Sequence, residues 1–535
     1  MNPLKKLVGQ TAVYGLSSVI GRLLNYLLVP LYTRAFLPAE YGVVTEIYAY
    51  VAFLVIVLTY GLETAFFRFS KKDNDVKVVY STALISLIVS SLMFLILIFA
   101  NSSSIANWMG YTGHTEYIEW FAIIIALDAI SSISFAKLRE QNKATRFAII
   151  RLINIFVNIG LNIFFIVYKD YGIEYIFISN LISSIVTIVL LFPEMLTSVW
   201  RFDKILWKKM MIYALPLLIA GLAGMTNETI DRILLKQIEH PEDIYKEYAI
   251  KLQKNIIDNE KQITIKDTLA YNEMKKEMLV YNEIKQFKNN LEELSNTSQA
   301  FIEIHSKKSE LGLYGAFYKL SILMILFIQM FRFAAEPFFF AQEKERNGKK
   351  IYADVMKYFT IIMAIIFLGV TIFYEFIKGF LDSEYHDERG FLIVSILLLA
   401  NLFLGIYYNL SIWYKITEKT KYGAYLAIVG ALITLILNFS LIPIIGFKGS
   451  AWATLVCYFS MTILSYFLGK KHFPIPYNIK RIGLYLLVML SIYLIIAITD
   501  INMWINSLYL IAFIILIFIL EKPKKTLFSN PKLSN

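Results

Sequence analysis

Residues 210–237 read MMIYALPLLIAGLAGMTNETIDRILLKQ. The stretch is long and apolar enough to cross a bilayer, yet it contains Glu228, Asp231 and Arg232. At helical spacing these three side chains share one face, which must therefore contact protein or water rather than lipid. Because Pro216 removes a backbone hydrogen bond near the start, the stretch predicts a mobile cavity wall. The alternative is that Glu228 and Arg232 neutralise each other as a structural pair without a ligand.

The rest of the chain predicts an all-α polytopic membrane protein. Of its 535 residues, 57% are hydrophobic and only 17% are charged, and the mean hydropathy is +0.58, which is far from the composition of a soluble protein. Apolar stretches of helical length number about 14. They cover residues 8–32, 41–66, 78–100, 117–136, 147–168, 174–196, 210–237, 311–341, 353–380, 391–414, 422–444, 449–469, 482–499 and 503–520.

Basic residues between these stretches predict the orientation. When only the short loops and the two termini are counted, and the polar stretch at 239–310 is left out, one set of alternate loops with the termini holds 29 Lys and Arg residues and the other set holds 5. Positively charged loops remain on the cytoplasmic side, so both termini are predicted to lie in the cytoplasm. The net charge of +11 reflects this topology and does not predict binding to nucleic acid.

Several classes of chemistry find no support in the sequence. Cys457 is the single cysteine, and none of the five histidines lies well inside a predicted span. This pattern argues against a disulfide, a metal centre or a histidine proton relay. A phosphate-binding loop with the Gly-x-x-x-x-Gly-Lys spacing is also missing. We therefore expect no metal, no cofactor and no enzymatic reaction.

An internal repeat organises the chain. The segment EYGVVTEIYAY aligns Glu40, Gly42 and Tyr48 with Glu310, Gly312 and Tyr318 of ELGLYGAFYKL, at an offset of 270 residues. Earlier matches have an offset of 199, so an insertion of 71 residues must lie between spans seven and eight. The repeat predicts two parallel six-helix lobes, with a substrate site between them. The predicted divisions are an N-terminal lobe at 1–200, span seven at 201–238, the insertion at 239–310, the remaining C-terminal lobe at 311–471, and a helix pair with a cytoplasmic tail at 472–535.

Charged residues inside the spans are candidates for the site. A charge at the bilayer centre costs about 2.5 to 3.5 kcal/mol on insertion scales, so such residues face a wet cavity or form pairs. We predict that the cavity interpretation applies to Arg22 and Asp128, which have no local partner, whereas Arg332 and Glu336 are spaced to pair with each other. The remaining candidates are Glu63, Arg151, Glu228, Asp231, Arg232 and Lys319.

The polar insertion at 239–310 has apolar residues at helical spacing and a net charge of −3, with no arginine. We expect a water-soluble helical element on the outer face. It is predicted to act as a spacer or to dock partner proteins, rather than to bind substrate.

Four stretches resemble oligosaccharide flippases of the Wzx type, within the multidrug/oligosaccharidyl-lipid/polysaccharide exporter superfamily. They are GQTAVYGLSSVIGRLLNYLLVPLYTRAF at 9–36, NETIDRILL at 227–235, LGLYGAFYKL at 311–320 and LNFSLIPIIGFKGSAWATLV at 437–456. The resemblance implies a V-shaped pair of lobes that alternates access and moves undecaprenyl-diphosphate-linked oligosaccharide to the outer leaflet for polysaccharide or O-antigen export. The insertion and the two C-terminal helices depart from the family pattern.

The same resemblance implies roles for particular residues. Arg22, Arg232 and Lys319, with Arg151 as a further candidate, would meet the lipid diphosphate. Asp231 would couple to a cation or hold Arg232. Independently of the resemblance, the charges inside the spans make Glu228, Asp128, Glu63 and Glu336 candidates to line the cavity or to couple to a cation. Two alternatives remain at this point. One is a cation-coupled multidrug exporter of the same superfamily, which would show more acidic and aromatic lining. The other is a membrane polysaccharide polymerase or ligase that acts through an outer loop.

Overall fold

A computed structural model of the chain describes residues 23–24, 26–70, 75–259, 278–284, 286, 294–342, 347–417, 419–499 and 502–521. We number the main helices in chain order. They are α1 (Val29–Ala35), α2 (Pro38–Thr59), α3 (Leu62–Ser70), α4 (Val76–Trp108), α5 (Thr115–Glu140), α6 (Ala144–Asn162, continued by a π-helix at Ile163–Tyr168), α7 (Glu174–Leu196), α8 (Lys204–Gln237), α9 (Glu242–Asn259), α10 (Asn296–Leu320), α11 (Ile322–Gln342), α12 (Gly348–Ile372), α13 (Tyr374–Lys378), α14 (Gly390–Leu410), α15 (Ile412–Ile416), α16 (Lys421–Ile445), α17 (Phe447–His472), α18 (Ile479–Ile498) and α19 (Met503–Glu521).

The predicted all-helical membrane architecture is confirmed. Within the ranges above, 12 helices are long and apolar enough to cross a membrane, and the bent pair α10–α11, with a bend of 48°, raises the count to 13. These correspond to the second through fourteenth predicted spans. Most of the first predicted span lies outside the described residues.

Polar caps define where several of these helices begin. The Asp75 side chain accepts a hydrogen bond from the Lys77 N–H before α4, and Asp203 accepts from two backbone N–H groups at the start of α8. Ser295 caps α10 through the N–H of Ser298. Each cap satisfies a backbone donor that the first turn of a helix leaves without an internal partner.

The helices form two lobes, and one large hydrophobic cluster contains buried residues of both. In the N-lobe, α5 packs against α4 and α7, and α6 packs against α7. In the C-lobe, α17 packs against α14 and α16, while α18 and α19 lie against α12. The arrangement matches the predicted pair of six-helix halves followed by a C-terminal helix pair.

The lobes meet where α2 crosses α10, and two glycines permit the contact. A Cβ atom added to Gly312 would lie 1.8 Å from the Pro38 carbonyl oxygen, and one added to Gly42 would lie 2.0 Å from the Lys308 carbonyl oxygen. Any larger side chain would therefore separate the helices. Gly42 and Gly312 are the residues that the internal repeat aligns, so equivalent helices of the two halves cross at equivalent positions.

Helix α8 contacts both lobes. Its first half contributes Leu206, Met210 and Ala214 to a hydrophobic cluster that is otherwise built from the N-lobe. In its second half, Asn227 donates a hydrogen bond of 3.1 Å to the Ala427 carbonyl of α16 and accepts one of 3.2 Å at its own carbonyl from Tyr458 of α17. The helix thus crosses from one lobe to the other along its length.

The insertion packs on the end of the bundle where α8 ends, which we call the insertion face. Ala249 and Leu252 of α9 form a small hydrophobic cluster with Ile302 of α10 and the helical segment 278–284. Helix α10 then continues without a break past Glu310. The division predicted at residue 310 therefore lies inside a helix, and residues 296–310 belong structurally to the start of α10.

Candidate functional site

A cavity of about 480 Å³ lies between the two lobes. Helices α1, α2, α6 and α7 provide its N-lobe wall, and α8, α10 and α11 provide its C-lobe wall. Its size is within the range of small-ligand pockets, and its position agrees with the site predicted from the repeat.

Arg232 is the central cation of the C-lobe wall. Its side chain is 9% exposed and lies 3.4 Å from the Asp231 carboxylate. Nη1 also donates a hydrogen bond of 2.5 Å to the backbone carbonyl of Glu228, and the guanidinium lies 4.0 Å from the centre of the Tyr318 ring. The charge is thus held by an acid, a carbonyl and an aromatic face at the edge of the cavity.

Asp231 and Glu228 differ in their surroundings. Asp231 is buried and does not line the cavity; it accepts a hydrogen bond of 2.5 Å from the Tyr314 hydroxyl while it pairs with Arg232. Glu228 lines the cavity and is exposed there. Arg232 contacts the backbone of Glu228, whereas its ionic partner is Asp231. The sequence spacing had suggested, as an alternative, a structural ion pair between the side chains of Glu228 and Arg232. The structure does not contain that pair.

Lys319 is the second predicted cation in the C-lobe wall, and it is half-buried beside Tyr318 on α10. Its neighbour Gly315 sits against Thr45 of α2, where an added Cβ would lie 2.6 Å from the threonine hydroxyl. Close packing of α10 on α2 therefore fixes the part of the helix that presents Lys319 to the cavity.

The polar groups of the N-lobe wall are amides and hydroxyls, and most of the hydroxyls belong to tyrosines. Asn180 of α7 donates a hydrogen bond of 3.1 Å to the Tyr48 hydroxyl. The amide of Asn154 on α6 donates to the Ser183 carbonyl and to Thr187, both at 2.9 Å. The sequence analysis did not place the α6 asparagines in the site. The lining residues of this wall that it missed altogether include Tyr26, Tyr32, Tyr41, Tyr48 and Asn180.

Three other predicted residues belong to the N-lobe but are not among the residues that line the cavity. Asp128 accepts a hydrogen bond of 3.0 Å from Ser184 and interacts electrostatically with Arg151. The Arg151 guanidinium lies 4.1 Å from the centre of the Phe135 ring. Glu63 pairs with Arg139 at 2.5 Å. The structure therefore separates these charges from Arg232 and Lys319.

The remaining predicted residues are placed as follows. Arg332 lies over the Tyr408 ring, 3.9 Å from its centre, and is not among the residues that line the cavity. The side chain of Glu336, its predicted partner, lies outside the described residues, as does Arg22. In the described ranges, no group of three or more His, Cys, Asp or Glu side chains could hold a metal ion.

A buried ionic contact joins the lobes near the insertion face, and sequence reasoning did not identify it. Glu46 of α2 is completely buried; it accepts hydrogen bonds from the Tyr111 hydroxyl and, at 2.7 Å, from Lys236 of α8. Lys236 also donates to the Met109 carbonyl and lies 4.1 Å from the Tyr111 ring centre. Burial, and then the adjacent carboxylate, raise the pKa of Tyr111 well above its usual value, so its hydroxyl remains a donor.

A second contact joins the two lobes at the insertion face. The Tyr385 hydroxyl, in the loop between α12 and α14, donates a hydrogen bond of 2.9 Å to the Phe36 carbonyl in the N-lobe. In that loop, Arg389 forms a two-pronged contact with Glu310 at 2.7 and 3.1 Å. Burial acts to raise the pKa of Asp387, but the Arg389 hydrogen bonds and charge outweigh it and hold that pKa below its usual value. The loop is thus anchored to both lobes.

Comparison with known proteins gives a family match over part of the chain. Residues 31–243 match the family model described as polysaccharide biosynthesis protein. No protein of curated function matches the sequence.

Solved structures match over most of the chain. The structure of the lipid II flippase MurJ in an inward closed conformation has a TM-score of 0.62 at 17% identity, and the match covers 95% of this chain and 98% of that one. An inward-facing multidrug resistance MATE family transporter of the MOP superfamily has a TM-score of 0.57 at 13% identity, covering 86% and 94% of the two chains. A MOP superfamily transporter from Pyrococcus furiosus has a TM-score of 0.50 at 13% identity, covering 88% and 98%. The chain therefore has the fold that these transporters and the flippase share.

Proposed function

We propose that this protein is a flippase that moves undecaprenyl-diphosphate-linked oligosaccharide across the cytoplasmic membrane for polysaccharide or O-antigen export. In this proposal, the lobes alternate access to the cavity between them, and both termini lie in the cytoplasm. The insertion face is then extracytoplasmic. The protein performs no chemical reaction on its substrate.

One observation carries the proposal: Arg232 and Lys319 both line the cavity between the lobes. A lipid diphosphate carries at least two negative charges, and it needs donors where water is scarce. Arginine binds phosphate oxygens through its planar fork, and lysine binds them as a point charge. Asp231 holds Arg232 in place without itself lining the cavity. The matched family and the MurJ fold support the same substrate class.

Arg22 is proposed as a further contact to the diphosphate on the basis of the Wzx resemblance, and Arg151 has a weaker claim because it lies over Phe135. The insertion is proposed to dock other proteins of polysaccharide assembly, because α9 covers part of the insertion face. Membrane lipids would surround the bundle.

The lining also favours a second candidate function, cation-coupled drug export. Glu228 is exposed in the cavity, and tyrosines form much of the opposite wall. An acid and aromatic rings together suit a lipophilic cation. The two functions therefore predict opposite effects of charge: neutralising Arg232 should impair export of an anionic lipid, and neutralising Glu228 should impair export of a cation.

The test uses purified protein in phosphatidylethanolamine–phosphatidylglycerol vesicles that contain undecaprenyl diphosphate with a neutral disaccharide. A membrane-impermeant glycosidase, added outside, cleaves only sugar in the outer leaflet. We expect the protein to make the inner-leaflet pool accessible as well. Arg232→Gln should slow this by about 10- to 100-fold, because a hydrogen bond to a charged group is worth about 1.5 to 3 kcal/mol.

Arg139→Gln is the matched control, since Arg139 is half-exposed, pairs with Glu63 and is not among the lining residues. It should leave the rate unchanged. If wild-type protein never exposes the inner pool but accumulates a lipophilic cationic dye against a pH or sodium gradient, the flippase proposal is wrong and drug export takes its place.

A further inference from the structure

The two walls of the cavity differ in chemistry. Among the described lining residues, every charged side chain belongs to the C-lobe: Glu228, Arg232 and Lys319. The described part of the N-lobe wall is uncharged, and its polar groups are amides and hydroxyls. A ligand between the lobes therefore meets two cations and one carboxylate on one side and neutral hydrogen-bonding groups on the other.

The polar groups of the N-lobe wall are held in fixed positions. Asn180 donates to the Tyr48 hydroxyl, which ties α7 to α2. Both N–H donors of Asn154 are taken by α7, which leaves its carbonyl oxygen as the acceptor it can offer. Tyr32 donates a hydrogen bond of 3.0 Å to Asn162, one turn beyond Asn158. These contacts orient the amides before any ligand binds, which reduces the entropy lost on binding.

A sugar ring suits this wall better than a phosphate does. Its hydroxyl groups both donate and accept hydrogen bonds, as amides and phenols do, and its C–H faces can pack on tyrosine rings. A phosphate offers acceptors only and gains most from cations. A diphosphate joined to a sugar therefore has two parts whose chemistry matches the two walls separately.

We propose that the described parts of the two walls divide the substrate: Arg232 and Lys319 of the C-lobe wall bind the diphosphate, and Asn158, Asn180 and Tyr48 of the N-lobe wall bind an uncharged first sugar. This inference rests on the proposed flippase function and extends it to the sugar next to the diphosphate. The N-lobe wall then sets specificity for that sugar, since buried polar groups left unpaired by a wrong ligand are costly.

The test compares two ligands on purified full-length protein: undecaprenyl diphosphate alone, and undecaprenyl diphosphate carrying one N-acetylhexosamine. Binding of each is measured by native mass spectrometry in detergent. Asn180→Leu and Tyr48→Phe should weaken binding of the sugar-bearing lipid by about 3- to 10-fold each, the effect of a lost neutral hydrogen bond, and leave the bare diphosphate unaffected. Arg232→Gln should weaken binding of both ligands by the same factor.

Asn101→Leu is the matched control, because the Asn101 amide is exposed on α4 and donates to the Leu97 carbonyl. It should change neither affinity. If the N-lobe variants weaken both ligands equally, or neither, the division of the substrate is refuted while the flippase proposal stands. If wild-type protein binds neither lipid, the flippase proposal itself fails. Variants that are not monodisperse are replaced by Asn158→Leu, which bears on the same wall.

Discussion

The contact between Glu46 and Lys236 is expected to hold the insertion face closed, and Lys236→Met tests this. The Glu46 side chain is 0% exposed and that of Lys236 is 8% exposed. Removing the lysine leaves a buried carboxylate without its cation, a loss that costs about 3 to 5 kcal/mol in buried pairs. An arrangement in which α2 and α8 separate would let water reach Glu46. The substitution therefore destabilises the closed arrangement and not the open one.

This cost sets the expected shift in the equilibrium between the closed and open arrangements of the lobes. Each 1.4 kcal/mol is a factor of ten, so Lys236→Met should move the equilibrium toward the open arrangement by about two to three and a half orders of magnitude. Adding Glu46→Gln removes the unpaired charge and should reverse part of the shift. The closed arrangement keeps other contacts, among them the crossing at Gly42 and Gly312.

The assay measures access to the cavity from the insertion face. A cysteine replaces Thr229, which lines the cavity, in a chain whose Cys457 is changed to alanine. An impermeant maleimide is added to vesicles with the insertion face outside, and the labelling rate is recorded. Lys236→Met should label much faster than the parent, and the double variant at an intermediate rate.

Lys246→Met is the control, because Lys246 forms an exposed pair with Glu242 one turn away on α9. Such pairs are worth only about 0.3 to 0.5 kcal/mol, so labelling should change less than threefold. Labelling of Lys236→Met at the parental rate would show that the buried pair does not restrain the lobes, and the reasoning would be wrong.

Three further predictions follow from other parts of the molecule. A cysteine at the exposed position Asn296 should react with an impermeant maleimide in intact cells and one at Asn347 should not; the reverse pattern would overturn the proposed orientation. Gly312→Ala should speed the same cavity labelling because its Cβ cannot fit against α2, whereas Gly483→Ala on α18 should not, since nothing lies within 4 Å of its added Cβ; equal rates would contradict the tight crossing. Burial lowers the pKa of His240 to about 4, so between pH 6.5 and 4 the unfolded chain binds the proton first. Stability should then fall by up to about 3 kcal/mol as the pH drops through that window. His240→Gln should flatten the dependence of the melting temperature on pH, and an unchanged slope would assign it to other groups.

The sequence predicts the spans well because continuous apolar runs suffice to define them. It fails at residues 296–310, where α10 begins before its apolar part. Ser306, Lys307 and Glu310 are buried there, although polar residues of a water-soluble helical element would be expected to face water. They are buried by α9 and by the loop that carries Arg389. These neighbours are distant in sequence, so the local residue pattern cannot predict the burial.

The candidate site, too, could be predicted from the sequence only in part. Charged residues inside apolar spans can be identified from the sequence as candidates, because a charge in the membrane is costly unless it faces a cavity or a partner. Their partners are not visible: Asp128 meets Ser184 of α7 and Arg151 of α6, a grouping that only the packing of three helices reveals. Tyrosines such as Tyr48 carry no comparable signal, because a tyrosine in a membrane span is common and its hydroxyl is satisfied by one neighbour.

Helix α8 shows how the cavity and the movement of the lobes are connected. Its first half is packed into the N-lobe cluster through Met210 and Ala214, and its second half is hydrogen-bonded to α16 and α17 through Asn227. If the lobes move as units, the displacement must be absorbed between residues 214 and 227. Pro216 removes one hydrogen bond there, and Gly224 has open space around its Cα. Because Glu228 and Arg232 follow directly after this segment, bending it would carry the cationic wall of the cavity with the C-lobe, away from the amides of the N-lobe.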